Sequence, residues 1–187
     1  MKHLVFRVLP FAAVLVLAAC SENNQNNSET NHDGHMQTSP ESNMENMHSG
    51  NQSATIKDDK LNAVYQHYVH LTTALTNADV SEAKVAANAI VAGAGTMNNA
   101  AGIVNPATAI TNSDDIEQQR TAYHDLSKEM ISRLKAAGME KGELYVEYCP
   151  MAFNDKGASW VSSSKEIRNP YFGEKMMTCG EVKETIK

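Results

Sequence analysis

The sequence predicts a mainly α protein, an up-down bundle of three to four helices with a small, irregular, partly β cap at its C-terminal end. Between residues 57 and 137, apolar residues recur every three or four positions over long segments, which is typical of amphipathic helices. After Gly142 this spacing gives way to alternation. Residues 21–54 contain no Leu, Ile, Val, Phe, Trp or Tyr, so the folded domain is expected to occupy residues 56–187.

The N-terminal segment resembles a bacterial lipoprotein signal. Lys2 and Arg7 flank the start of an apolar run, residues 8–19, which is too short to cross a bilayer. Its last residues lead into Cys20 as a lipobox does, which implies that residues 1–19 are a signal peptide and that Cys20 is lipidated. The alternative is an ordinary signal cut nearby, with Cys20 an incidental thiol. We expect a protein anchored in the cell envelope and facing the periplasm, and by resemblance to other lipoproteins Ser21 favours the outer membrane.

Residues 20–55 are predicted to be a disordered tether after the lipidated cysteine, with a reach of roughly 30 to 35 Å. Two groups of His and Met residues lie within it, and their imidazole and thioether donors favour soft or borderline ions such as Cu(I). The segment is therefore either a secondary metal-capture site or an inert tether. The candidate ligands are His32, His35, Met36, Met44, Met47 and His48.

The charge balance of the chain argues against negatively charged partners. The chain has 16 basic and 22 acidic residues, and loss of Lys2 and Arg7 with the signal would take the net charge from -6 to -8. An acidic protein is a poor candidate for nucleic acid or for an anionic lipid surface. We expect attachment to the membrane through the lipid alone.

Three helices are predicted from apolar stripes and caps. The first spans residues 57–78. The second begins at Asp79, with Glu82 in capping-box position, and the third at Asp114, with Glu117 three residues on; the third ends before Gly138. Residues 98–113 contain Asn-Pro and further turn residues, and predict a connection with one short helical turn. The histidines of these helices, His67, His70 and His124, are interpreted as surface residues.

The predicted cap occupies residues 143–182. Leu144, Val146 and Tyr148 alternate with Tyr145 and Glu147, which predicts a short strand ending at Cys149-Pro150. The single Trp of the chain, Trp160, lies between Cys149 and Cys179.

Cys149 and Cys179 allow two interpretations. In an exported protein they are candidates for a disulfide, and closing a loop of about 30 residues would contribute roughly 3 to 4 kcal/mol. Alternatively, their thiolates are metal ligands together with Met151, Met176 and Met177, a donor set suited to Cu(I) or Ag(I). Zinc ordinarily requires more Cys or His. The methionines could instead fill space beside aromatic residues.

Two stretches of the cap resemble a known family. "YVEYCPMAFNDKGASW" and "EIRNPYFGEKMMTCGEV" are similar to a domain of unknown function found in exported lipoproteins of Gram-negative bacteria. The same domain occurs at the C-terminal ends of periplasmic adaptor subunits of copper/silver efflux pumps. The resemblance implies a helical periplasmic domain associated with heavy-metal handling, and it marks Cys149, Met151, Met176 and Cys179. Met177 is a less certain position of the signature.

The leading functional hypothesis is a lipoprotein that binds or buffers Cu(I) or Ag(I) and passes it to an efflux adaptor. The alternative is a disulfide-stapled helical module that docks on an envelope partner without metal. An enzyme is not expected, because Cys149 has no second cysteine two residues away and no thioredoxin-like pattern surrounds it. No phosphate-binding loop or His-Glu-x-x-His motif is present either.

Overall fold

The structure, a computed structural model, describes residues 54–187. The predicted signal peptide, Cys20 and the six His and Met residues of the tether lie outside the described residues. The elements in chain order are β1 Thr55–Ile56, α1 Asp59–Thr76, α2 Val80–Ala94, α3 Ala101–Thr111, α4 Ile116–Ala137, β2 Met139–Lys141, β3 Leu144–Cys149, β4 Ala158–Ser162, a 3-10 turn Gly173–Met176 and β5 Glu181–Ile186. The predicted fold class, mainly α with a partly β C-terminal region, is confirmed.

The helices begin at aspartate caps. The side chain of Asp58 accepts a 2.9 Å hydrogen bond from the Leu61 N–H at the start of α1. Asp79 accepts one from the Glu82 N–H at the predicted start of α2. The cap of α4 is Asp115, one residue after the predicted Asp114, because it is Asp115 that accepts the free N–H of Gln118.

α3 corrects the prediction for residues 98–113. This segment is an eleven-residue helix, although Pro106 lies inside it. Proline removes one hydrogen bond, the one that would end on the Gly102 carbonyl, while burial of one face holds the remaining turns. That face consists of Ile103, Ala107 and Ile110, all fully buried. The turn residues predict a connection, but burial of the apolar stripe stabilises a helix instead.

The four helices pack in chain order. α1 packs on α2, α2 on α3 and α3 on α4, while α4 returns to α1. β1 pairs with β2, and the second sheet has the order β4-β3-β5 with both pairings antiparallel. α4 also packs on β4, so one core joins the bundle to the cap. None of the helices in residues 54–187 is long and apolar enough to cross a membrane.

β3 is the central strand of its sheet, which changes the predicted alternation. Leu144, Tyr145, Val146 and Glu147 are all buried, and Glu147 has no exposed surface. Both faces of β3 are therefore covered at these four residues. An alternating pattern cannot show this, because the covering residues come from other parts of the chain.

A hydrogen-bonded group of tyrosines fastens the sheet to α1 and α4. The Tyr68 hydroxyl lies 2.8 Å from Ser127 Oγ and accepts hydrogen bonds from the Tyr123 hydroxyl and the Val161 N–H. Tyr171 packs between the rings of Tyr123 and Trp160. Polar groups of this kind are buried without penalty only when paired, so the network fixes how the cap sits on the bundle.

Candidate functional site

The two cysteines of the cap lie in contact. Cys149 Sγ and Cys179 Sγ are 2.8 Å apart, and both thiols are unbridged. Cys149 is fully buried at the end of β3, whereas Cys179 is partly exposed just before β5. The fold therefore closes the 30-residue separation into one pair. The distance of 2.8 Å between the two sulfur atoms is longer than the roughly 2.05 Å of a disulfide bond. It is shorter than the distance between two thiolate sulfurs that bind the same metal ion.

A left-handed turn follows the Cys149 strand. Phe153 and Asn154 have φ of 53° and 56°, and Asp155 has φ of 64°. A non-glycine residue in this region costs about 1–2 kcal/mol, and three in succession are rare. The Phe153 ring offsets part of that cost by packing on Tyr171. The turn begins two residues after Met151 and precedes β4.

Asn169 holds the segment that carries Cys179. Its side-chain N–H donates a 2.7 Å hydrogen bond to the Cys179 carbonyl, and its backbone N–H donates to the Met177 carbonyl at 2.8 Å. Its side-chain oxygen accepts from the N–H groups of Tyr171 and Phe172. Asn169 is fully buried, so these bonds are shielded from water. No local sequence pattern predicts this role of Asn169.

Gly180 brings the chain close to Trp160 immediately after Cys179. Its φ of 146° lies outside the usual range of other residues. A Cβ atom there would stand 3.0 Å from the Trp160 ring and 3.1 Å from the Tyr148 carbonyl oxygen. Glycine therefore lets the Cys179 segment pack against β3.

Arg120 connects the same region to the bundle, a role that no sequence pattern predicts. Its guanidinium is buried and donates to the carbonyls of Pro170 and Leu75 at 2.9 and 3.1 Å. It also forms an ion pair with Glu117. A charged residue on a helix gives no sign in sequence that its partners are carbonyls about 45 to 50 positions away.

Cys149 influences the ionisation of Cys179. The hydrogen bond with Cys149 and, next, burial raise the pKa of Cys179 to about 11, although the Met151 backbone N–H acts in the opposite direction. At neutral pH the Cys179 thiol therefore keeps its proton. A thiophilic metal that binds Cys179 would have to displace this proton.

The methionines are distributed unevenly around this pair. Met151 is 47% exposed, and together with Met176 it lines an open groove of about 510 Å³ that also contacts Arg120 and Phe172. Met177 is partly buried and does not line this groove; its carbonyl accepts from Asn169. Met151 and Met176 thus line one groove, and Met177 is not among its lining residues.

The histidines differ in their surroundings. His67 is exposed, and His70 is exposed and pairs with Glu82 at 2.8 Å. His124 is partly buried against Phe153 and Tyr171, and burial lowers its pKa. In residues 54–187 no three or more His, Cys, Asp and Glu side chains are grouped so that they could hold a metal ion.

The chain matches the family described as a protein of unknown function, DUF3347, over residues 64–142. The match covers most of α1, all of α2 to α4, and β2, which is less than half of the 187 residues. It ends before β3, so the Cys and Met signature of the cap lies outside it. No curated protein and no solved structure matches the chain significantly.

Proposed function

We propose that this protein is an exported lipoprotein that binds a soft monovalent ion, Cu(I) or Ag(I), through Cys149 and Cys179. It buffers the ion at the periplasmic face of the envelope or passes it to an efflux adaptor. The observation that carries the metal proposal is the 2.8 Å approach of the two sulfur atoms. Thiolates select soft ions, and two of them suffice for a low coordination number.

The surroundings of the pair support a labile site. Cys149 is fixed by the sheet, whereas Cys179 precedes Gly180 in an irregular segment and is partly exposed. A small shift of Cys179 would open the pair around an ion. Met151 and Met176 are available as thioether donors on the neighbouring groove.

Titration with Cu(I) against a competing chelator tests the site. The full chain carrying Cys20→Ser is suited to this, because Cys149 and Cys179 are then its only thiols. We expect Cys149→Ser and Cys179→Ser each to weaken binding at least tenfold, and Met151→Leu to weaken it less. Met177→Leu is the matched control. Unchanged Cu(I) affinity in both cysteine variants would show that the cap cysteines do not bind the ion.

The tether is tested in the same titration. Replacing His32, His35, Met36 and the second group (Met44, Met47 and His48) with Ser should remove only weaker binding events. Loss of the tightest event in this variant would move the primary site from the cap to the tether. Loss of membrane fractionation in Cys20→Ala would support the lipid anchor.

The alternative function is a docking module in which the two cysteines form a disulfide. The same sulfur contact favours it, since oxidation of the pair releases two electrons and two protons to a periplasmic oxidant. The disulfide removes the thiolates that a metal needs, so the two functions are separable by redox state. Thiol counting and intact mass on protein taken from the periplasm distinguish them. A pair that stays fully oxidised under copper stress would favour docking.

A further inference from the structure

The two cysteines of the cap differ in their access to solvent. Cys149 has no exposed surface and ends the central strand β3, in register with the buried Ala158 of β4. Cys179 lies in the irregular segment before β5 and is partly exposed. The rate of thiol-disulfide exchange depends on access to the sulfur that reacts. A molecule in solution therefore reaches the pair through Cys179.

The backbone of Cys179 is held on both sides. Its N–H donates a 3.1 Å hydrogen bond to the Met176 carbonyl, and its carbonyl accepts one of 2.7 Å from the side chain of Asn169. The next residue, Gly180, lies close to the Trp160 ring. Because these contacts involve the backbone, modification of the Cys179 sulfur leaves them in place. They keep the modified sulfur beside Cys149.

The distance between the two sulfur atoms favours bond formation within the pair. Cys149 Sγ and Cys179 Sγ are 2.8 Å apart, so they need to approach by only about 0.75 Å to reach the roughly 2.05 Å of a disulfide. Burial of Cys149 closes its sulfur to a second molecule from solution while leaving it in contact with Cys179. The two thiols are therefore suited to different steps of one exchange reaction.

We propose that small disulfides, the oxidised forms of low-molecular-weight thiols, modify Cys179 reversibly and that Cys149 resolves the product. This inference rests on the alternative function above, in which the two cysteines form a disulfide. In the first step the Cys179 thiolate attacks one sulfur of the external disulfide. A mixed disulfide forms on Cys179, and one external thiolate leaves.

In the second step the Cys149 thiolate attacks the Cys179 sulfur of the mixed disulfide. The bond between Cys149 and Cys179 forms, and the second external thiolate leaves. The two cysteines lose two electrons, which reduce the external disulfide to two thiols, and the two cysteine protons pass to solvent or to the released thiolates. An excess of the external thiol drives both steps in reverse.

This reaction controls the proposed metal site. A Cys179 sulfur that is bonded to another sulfur is no longer a thiolate ligand. Modification of Cys179 therefore prevents binding of a soft ion by the pair before the disulfide has formed. The small-molecule thiol and disulfide pool around the protein then sets the fraction of chains that accept metal.

Exchange with dithiobis(nitrobenzoate), a small disulfide whose released thiolate is coloured, tests the order of the steps. All chains carry Cys20→Ser, so that Cys149→Ser leaves Cys179 as the only thiol and Cys179→Ser leaves Cys149. We expect the folded Cys179→Ser variant to react at least about tenfold more slowly than the folded Cys149→Ser variant. Unfolded in guanidinium chloride, the two variants should react within about threefold of each other, since access is then equal.

The chain that keeps Cys149 and Cys179 tests the resolving step without any change in the cap. With excess reagent, we expect two coloured thiolates per chain and a final intact mass without an adduct. With less than one equivalent and an early acid quench, peptide masses should place the transient adduct on Cys179.

Equal rates for the two folded variants, an early adduct on Cys149, or a stable adduct on Cys179 beside an unreacted Cys149 would each overturn the inference. These results are separate from the tests of the proposed function. The Cu(I) titration uses the reduced chain, and thiol counting on protein from the periplasm shows whether the pair is oxidised there.

Discussion

The side-chain amide of Asn169 donates a 2.7 Å hydrogen bond to the carbonyl of Cys179. Asn169 is fully buried and also binds the N–H groups of the two residues that follow Pro170. One side chain thus joins the start of the 3-10 turn region to the segment after it. The position of the Cys179 sulfur beside Cys149 depends on this link.

Asn169→Ala should lower the free energy of unfolding by roughly 2–4 kcal/mol, because three side-chain hydrogen bonds are lost and buried backbone groups stay unpaired. Urea unfolding followed by circular dichroism measures the change. The control is Thr178→Ala, which replaces an exposed polar side chain next to Cys179. If the two variants lose similar stability, Asn169 does not have the role assigned to it.

Removal of Cys149 should make Cys179 more reactive. Because the Cys149 hydrogen bond is the largest cause of the raised Cys179 pKa of about 11, Cys149→Ala should bring that pKa down towards its usual range. The rate of alkylation by iodoacetamide at pH 8 should rise by about 10-fold or more, since the thiolate is the reacting form. The reference is the Cys179 rate in the Cys20→Ser chain, with sites assigned by peptide mass. A rate that stays the same or falls would show that Cys149 does not raise the pKa of Cys179.

Glu147 should make stability depend on pH. Its folded-state pKa is raised from 4.5 to about 8, so the folded protein binds the proton more tightly than the unfolded chain. Its contribution is therefore fully present below about pH 4.5 and is lost as the pH rises through about 8. The stability of Glu147→Gln relative to the wild type should increase by roughly 2–3 kcal/mol between pH 5 and pH 7.5.

Urea unfolding at several pH values measures this difference. Glu166→Gln is the control, because it makes the same change at an exposed glutamate of the cap. If the free energies of unfolding of the Glu147→Gln variant and the wild type differ by the same amount at every pH in this range, the pKa of Glu147 is not raised in the folded protein.

The left-handed turn offers a test of backbone strain. Asn154 is exposed and has φ of 56°, so a substitution there acts mainly through the backbone. Asn154→Gly should stabilise the fold by a few tenths to about 1 kcal/mol, whereas Asn154→Val should destabilise it by about 1–2 kcal/mol. Thermal unfolding of both variants checks the sign. Equal melting temperatures for the two would show that the turn does not impose this conformation.

Local sequence patterns predict most of the helical part of the fold correctly. The stripe of α1, the Asp79 cap of α2 and the Gly138 end of α4 are all confirmed, because each depends on residues within one or two turns of each other. α3 is not predicted from the sequence, because Pro106 and its neighbouring turn residues indicate a connection whereas the apolar stripe of the same segment indicates a helix. Burial by α2 and α4 decided that conflict.

The sequence by itself determined a mainly α fold with a partly β C-terminal end, since hydrophobic periodicity and caps are properties of short segments. Only the tertiary structure decided that Glu147 is buried on a strand between β4 and β5, that Arg120 binds the Pro170 carbonyl, and that the sulfur atoms of Cys149 and Cys179 meet. Each of these facts joins groups far apart in the chain. Their approach depends on how the strands, the helices and the Asn169 segment pack together, and no local pattern records that packing.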